Sequence, residues 1–496
     1  MVFRLLLGSI YNDYNDKLII MSQSFFFYDL ETSGINPREQ RIMQFAGQRT
    51  NLNLDPIGDP INRLICLTED VLPDPDAILV TGITPQQTMQ DGITEAEFLK
   101  IFHTQIATPN TIFVGYNNIR FDDEFIRYLH YRNFYDPYEW HWQNGRSRWD
   151  LLDVVRMTRA LRPYSIKWPF TEDGKPTNRL ELLTSLNGLV HQNAHDALSD
   201  VNATVELAKL IKHHQPKLFE YLLKIRNKQL VEELIKNGKP FVYTSGKYAN
   251  EVEKTTVAVF LVDNPKSGAL VYDLRFDPAE WFDKSPEQLA EAWKWIKESK
   301  DPRLPIKTLQ YNRCPAVAPL TVLDDESKTR IKVDDQQIIN HLEPLKTNFN
   351  FATNVLKALG ILNKQQDKRN TSQKLVDEQL YDGFFNFNDK QQMQNVRNAR
   401  KGEIAALSPK FSDERLDLLL PLYKTRNYLK VSSLEDQQTW EDYKSKKLFN
   451  GGESSKIVKY FKRIDEIATK SDVSKKQLLI LEDLKLYGES LIPDPS

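Results

Sequence analysis

The chain has 496 residues, 40% of them apolar and 27% charged, with a formal net charge of −2 and two cysteines. That length exceeds what one hydrophobic core fills, so about two to four domains are expected. The charge balance argues against a generally basic nucleic-acid coat, though not against a basic groove offset by acids elsewhere. No apolar run reaches the roughly 20 residues that span a bilayer, so no membrane segment is expected. Cys66 and Cys314 are far apart, which points to a reducing, cytoplasmic compartment without a disulfide or zinc framework.

Arg4 and the apolar Leu5-Leu6-Leu7 imitate a signal peptide, but the apolar core is short and no small-residue cleavage site follows. Residues 1–21 are read as an extension that is either non-native or a mis-assigned start, with translation beginning at Met21.

Phe25-Phe26-Phe27-Tyr28-Asp29-Leu30-Glu31 then reads as a buried strand with two carboxylates at its exit. Strand side chains alternate faces, so Asp29 and Glu31 project together. Paired anions at the end of an apolar strand are costly unless a cation neutralises them, and a hard divalent metal with oxygen ligands does so. Taken alone, the pair is equally compatible with a solvated strand end. Further strands are expected over Ile42–Arg49 and Asn62–Leu67, an amphipathic helix from Thr94 to about Ile106, and a short apolar strand over Thr111–Tyr116.

Phe121-Asp122-Asp123-Glu124 opens the next predicted helix. Acids in a first turn offset the helix dipole and need no catalytic reason, although strand-to-helix exits are where open α/β sheets place ligands. Asn193-Ala194-His195-Asp196 precedes another helix that contains Asp200. At about 100° per residue His195 and Asp200 would diverge on one helix, so His195 belongs to the loop, with Asp196 as N-cap.

Asp-x-Glu on a strand, Phe-Asp opening a helix and His-x4-Asp at a later helix follow one another within about 170 residues. This order resembles the histidine-bearing branch of the DEDD exonuclease superfamily, and within it the bacterial exonuclease I family. Gly82-Ile83-Thr84-Pro85, Gly115-Tyr116-Asn117-Asn118, Tyr131 to Tyr138 and Ser147 to Val154 carry the same likeness. The resemblance implies that Asp29, Glu31, Asp122 and Asp200 bind metal and that His195 is the general base. Asp122 is preferred over Asp123 because the family acid directly follows an aromatic, here Phe121.

Such a set suits phosphodiester hydrolysis. Two divalent ions roughly 3.5–4 Å apart can activate the attacking water and hold the departing 3′ oxygen. Magnesium fits the oxygen ligands, with manganese able to substitute. Histidine, with an unperturbed pKa of about 6.5, can accept a proton near neutrality.

Lys209 to Lys228 is basic and helical, and its His213-His214 pair reads as a solvated helix end rather than a metal site. Short strands follow at Phe241–Tyr243, Thr255–Val262 and Ala269–Leu274, then a helix with Ser285 as N-cap, Pro286 at the first position and Gln288 closing a capping box. Its apolar side is expected to carry Leu289, Trp293 and Ile296, and strand-like Leu304–Leu309 and Tyr311–Ala316 come after it. From about Asp334 the chain is expected to be helical, with the polar run Asn363–Lys374 separating two helices. No internal repeat is evident.

The expected architecture is an α/β ribonuclease H-like exonuclease domain (22–214; a mixed sheet with flanking helices), an SH3-like β-barrel domain (215–365) and an all-helical C-terminal domain (366–496). The latter two fold classes rest partly on the resemblance, which Tyr381-Asp382-Gly383-Phe384-Phe385 and Leu418 to Tyr428 extend across the chain. The resulting expectation is a monomeric, processive, magnesium-dependent 3′→5′ exonuclease releasing 5′-mononucleotides from single-stranded DNA in repair and recombination. Arg120, Arg146, Arg148 and Lys228 are candidate phosphate contacts. By resemblance, the C-terminal tail of single-stranded DNA-binding protein is a partner. An exoribonuclease with the same acids, or a strand-binding scaffold without activity, are the alternatives.

Overall fold

The computed structural model describes residues 23–191, 196–294, 301–369 and 374–493. Residues 1–21, His195 and Ile296 lie outside the described residues, and so do the expectations placed on them.

The aromatic run forms β1 (Ser24–Thr32), paired antiparallel to β2 (Ile42–Thr50), which pairs antiparallel to β3 (Ile61–Leu64). On its other side β1 runs parallel to β4 (Thr111–Gly115), and β4 parallel to β5 (Ser147–Asp150). The sheet order β3-β2-β1-β4-β5 puts β1 in the centre. Its alternation sends Phe25 and Phe27 into one core with Trp149, Val201 and Val205, and Phe26 and Tyr28 into another with Phe45, Phe98, Phe102 and Phe113. The two faces are therefore both buried, as befits the central strand of a mixed sheet covered on both sides. The helix expected from Thr94 is an α-helix over Glu95–Ile101 capped by a Thr94/Glu97 box, and it continues as a π-turn over Phe102–Ile106.

The second domain is an antiparallel sheet in the order β10-β6-β7-β8-β9: β6 (Phe241–Thr244), β7 (Thr255–Asp263), β8 (Ala269–Asp273), β9 (Ile306–Leu309) and β10 (Ala316–Pro319). The capping box at Ser285 and Gln288 is present, and its helix Pro286–Trp293 is inserted between β8 and β9. The β7–β8 hairpin closes where Gly268 adopts a φ of +80°, and a Cβ there would lie 2.0 Å from the Leu309 carbonyl oxygen.

Two expectations are corrected. Tyr311–Ala316 is not one strand: Tyr311–Arg313 is a short 3₁₀ turn and Cys314 has a φ of +45°, so pairing starts only at Ala316. The break expected from Asn363 starts later, because the helix Phe349–Arg369 continues through the first half of the polar run; residues 370–373 lie outside the described residues. Polar composition alone does not interrupt a helix that lacks glycine and proline at that point.

Among the described residues no strand follows Pro319. The C-terminal helices wrap the first domain. Leu416, Leu419 and Tyr423 pack with Tyr128, Tyr131 and Phe134, while Ile464, Leu481 and Leu484 cover Met43, Val71 and Ile78. Among the described residues no helix is long and apolar enough to cross a membrane.

Candidate active site

The site forms where β1 leaves the sheet. Asp29 and Glu31 share the face of Phe25 and Phe27, which packs against the helix Ala197–His214. Asp196 caps that helix by accepting from the Ser199 amide, which fixes Asp200 one turn inside. Asp29, Glu31 and Asp200 each offer a carboxylate oxygen, all within 4.8 Å of one another. Burial pushes the Glu31 carboxyl up to about 9, with Asp29 and Asp200 repelling its charge as well. Asp29 is raised well above the carboxylate range by burial and then by Asp200 and Asp196.

Asp122 joins this group electrostatically: burial raises its pKa, and Asp29 is the first charge that adds to the shift. Asp123, one residue on, turns away. Adjacent helical residues diverge by about 100°, and Asp123 accepts from the Tyr28 hydroxyl and pairs with Arg148 on the opposite face of β1. The two neighbouring acids thus part at the end of the strand: Asp122 is coupled to Asp29 without belonging to the group within 4.8 Å, and Asp123 is neutralised by Arg148 beneath it.

A cluster of buried and half-buried carboxylates that repel one another, with Asp29, Glu31 and Asp122 raised in pKa, is the donor set of a divalent-cation site. Hard oxygen ligands and an open side meet that chemistry. The open side is a cleft of about 490 Å³ bordered by Asp29, Asp200, Arg156, Arg179, Asn250 and Lys254. Asn250 and Lys254 come from the second domain, so the cleft lies between the two domains.

Family models divide the chain into three consecutive matches: Exonuclease over residues 26–208, Exonuclease I SH3-like domain over 226–359 and Exonuclease I C-terminal domain over 374–491. Exodeoxyribonuclease I of Haemophilus influenzae is 37% identical over 477 residues, covering 95% of this chain and 99% of that one. The chain belongs to the exonuclease I family. Among solved exonuclease I structures, that of Escherichia coli exonuclease I with a dA16 oligonucleotide matches with a TM-score of 0.89 at 35% identity, over 95% of this chain and 100% of that one. A structure of SSB/Exonuclease I with the inhibitor CFAM matches at 0.85 and 34%, with the same coverage.

The four basic residues expected to meet phosphate in an exonuclease I groove are placed very differently. Arg120 donates to Asp153 at 3.2 Å and stays partly exposed beside Gly246 of the second domain, where Arg156 also converges. Arg148 is corrected: it is buried, paired with Asp123 and bonded to the Asn312 carbonyl, so its charge is already matched. Ser147 is level with Ile112 and Ile112 with Phe25, so Arg146 stands at the far end of the sheet, roughly 16 Å along it from Asp29, where it donates to the Ala107 and Glu139 carbonyls. Lys228 is exposed at the start of the helix Lys228–Lys236.

Sequence reasoning missed His191, which is buried with Nε2 2.5 Å from Asp200 Oδ1 and Nδ1 3.0 Å from Thr184 Oγ1. It also missed Arg156, Arg179 and Lys254 at the cleft. No local motif marks these residues; only their meeting in space does.

Proposed function

We propose that this exonuclease removes 5′-mononucleotides stepwise from the 3′ end of single-stranded DNA, in the cytoplasm, during repair and recombination. The observation that carries the reading is the convergence of Asp29, Glu31 and Asp200 within 4.8 Å, with Asp122 coupled to Asp29, at a cleft bordered by arginine and lysine. The name of the Haemophilus relative and the oligonucleotide in the Escherichia coli structure support DNA as the substrate.

Asp29, Glu31, Asp122 and Asp200 would hold two magnesium ions, with manganese able to replace them. When bound, the metal pair supplies water activation and charge stabilisation for the leaving 3′ oxygen. The remaining work falls to the chain. Arg156, Arg179 and Lys254 favour an entering phosphate by long-range attraction. His191 holds Asp200 in one rotamer. His195, just before the capping Asp196, takes the proton that the attacking water gives up. The buried face of β1 prevents the acids from moving apart when their charges repel. The C-terminal tail of single-stranded DNA-binding protein is a proposed partner, supported by the SSB/Exonuclease I structure, and the enzyme is proposed to act as a monomer.

Digestion of 3′- and 5′-labelled DNA and RNA strands and duplexes, with magnesium or with chelator, tests the reading. Magnesium-dependent release of mononucleotides from 3′ ends of single-stranded DNA is expected. Release from 5′ ends, equal activity on RNA, or activity that survives exhaustive chelation would each overturn it.

A further inference from the structure

Tyr28, Asp123 and Arg148 are three polar groups that the proposed chemistry does not use, and all three are buried. Their place in the chain is what singles them out. Tyr28 immediately precedes Asp29, and Asp123 immediately follows Asp122. The Tyr28 hydroxyl donates to one oxygen of Asp123 and the Arg148 guanidinium pairs with the other, while the Asn118 side-chain amide donates to the Tyr28 oxygen at 3.1 Å. We infer that Tyr28, Asp123 and Arg148 are positioning residues: a buried staple that fixes the spacing between Asp29 and Asp122 and so sets the affinity of the metal site. The inference rests on the proposed assignment of those two acids as ligands.

The physical argument has three parts. First, β1 and the helix Asp122–Arg132 have no backbone ladder between them, so the separation of Asp29 and Asp122 is left to side chains. The Tyr28 to Asp123 bond is one residue from each acid on the opposite face of the strand, where it cannot obstruct a ligand. Second, a buried ion pair is a poor source of stability, because its desolvation offsets most of its attraction. Its geometric specificity is therefore the better explanation for placing Asp123 and Arg148 here. Third, the staple is anchored outside the first domain. Arg148 Nη2 donates to the Asn312 carbonyl at 2.9 Å, and the Cys314 thiol approaches the Arg148 carbonyl at 3.0 Å, so the SH3-like domain fixes the guanidinium. The accessory domain thereby reaches the metal-binding acids through two side chains.

The test uses the full chain. Manganese affinity is measured by titration calorimetry on the parent, Tyr28→Phe and Asp123→Asn, with Asp29→Ala as the control for the ligand assignment. Tyr28→Phe keeps the ring that stacks on Phe45 and loses only the hydroxyl. The expected result is manganese binding weakened about 10–100-fold, kcat reduced at limiting manganese and restored at saturating manganese, and an unchanged KM for the strand. Asp123→Asn is expected to weaken binding at least as much. Manganese affinity within twofold of the parent in Tyr28→Phe would overturn the staple. If Asp29→Ala binds manganese like the parent, the ligand assignment fails instead, and the two failures are told apart by that control. A uniform loss of thermal stability with unaltered manganese affinity would assign the three residues to folding alone and would also overturn the inference.

Discussion

Arg41 and Asp377 are 336 residues apart in the chain and meet in a 2.8 Å ion pair sealed from solvent. Around them Asp70 pairs with Arg41, Arg426 and Lys447, and Tyr443 donates to Asp377 at 3.0 Å. Arg41 opens toward β2 and the hairpin behind Glu31, whereas Asp377 and Arg426 belong to the C-terminal domain. The last domain is therefore joined to the first through buried charges as well as apolar contact.

Removing one partner of this cluster leaves an uncompensated charge in the interior. Asp377→Ala is expected to destabilise the protein by about 3–5 kcal/mol, measured by urea unfolding, while breaking an exposed pair such as Arg463 with Asp76 is expected to have little effect, because solvent screens it. Equal effects at the two positions would contradict the role given to the cluster.

The same cluster predicts an acid limit. Burial opposes ionisation of Asp377, but Arg426, Arg41 and Lys447 outweigh it and hold its pKa below the ordinary carboxylate range. A depressed folded-state pKa gives stability that is present above the unfolded value of about 3.9 and is lost as pH falls below it. Tryptophan fluorescence, through Trp440 beside Arg426, should report release of the C-terminal helices in acid. The transition should be weakened in a variant already lacking Asp377, with Asp70, also held below the carboxylate range by the same cations, supplying what remains.

At the active site the sign reverses. Glu31 is pushed up to about 9 in the folded, metal-free protein against 4.5 in an open chain. Between those values the folded state holds a proton that the unfolded state has released, so stability falls as pH rises. Calorimetric melting temperatures in chelator should decline from pH 6 to pH 9, and saturating magnesium should remove much of the decline. Glu31→Gln should flatten the profile without metal.

Two substitutions separate metal binding from proton transfer. His195→Ala is expected to cut turnover by about 10²–10⁴ with folding intact, and manganese affinity is expected to stay near that of the parent. Asp29→Ala is expected to abolish both activity and manganese binding. Full turnover in either variant with magnesium present would remove the mechanism.

The cleft makes a further prediction. If its basic rim holds the strand by its phosphates, the log–log dependence of affinity on salt should have a slope of about −0.7 per phosphate neutralised. Arg156→Ala and Lys254→Ala should each reduce that slope. A salt-independent affinity would exclude an electrostatic groove.

The alternation of β1 determined by itself that Asp29 and Glu31 share a face, because the period of a strand is two and does not depend on its neighbours. Cap chemistry was equally local: Ser285 with Gln288, and Asp196 before its helix, are found where their side chains can reach the first free amides. The run Asn363–Lys374 was expected to separate two helices from its first residue, but the helix continues to Arg369, because continuation depends on the packing that precedes it and not on polarity. Only the tertiary structure decided which arginines are buried and which reach the surface. Arg148 and Arg120 look alike in sequence, but one is sealed in against Asp123 and the other is partly exposed beside Gly246, with Asp153 as its partner. It also decided that Asp122 and Asp123 lie on opposite sides of β1, and that Asp377 meets Arg41 across most of the chain. Charge has no period along a sequence, and its role is set by whichever distant group the fold brings within a few ångströms.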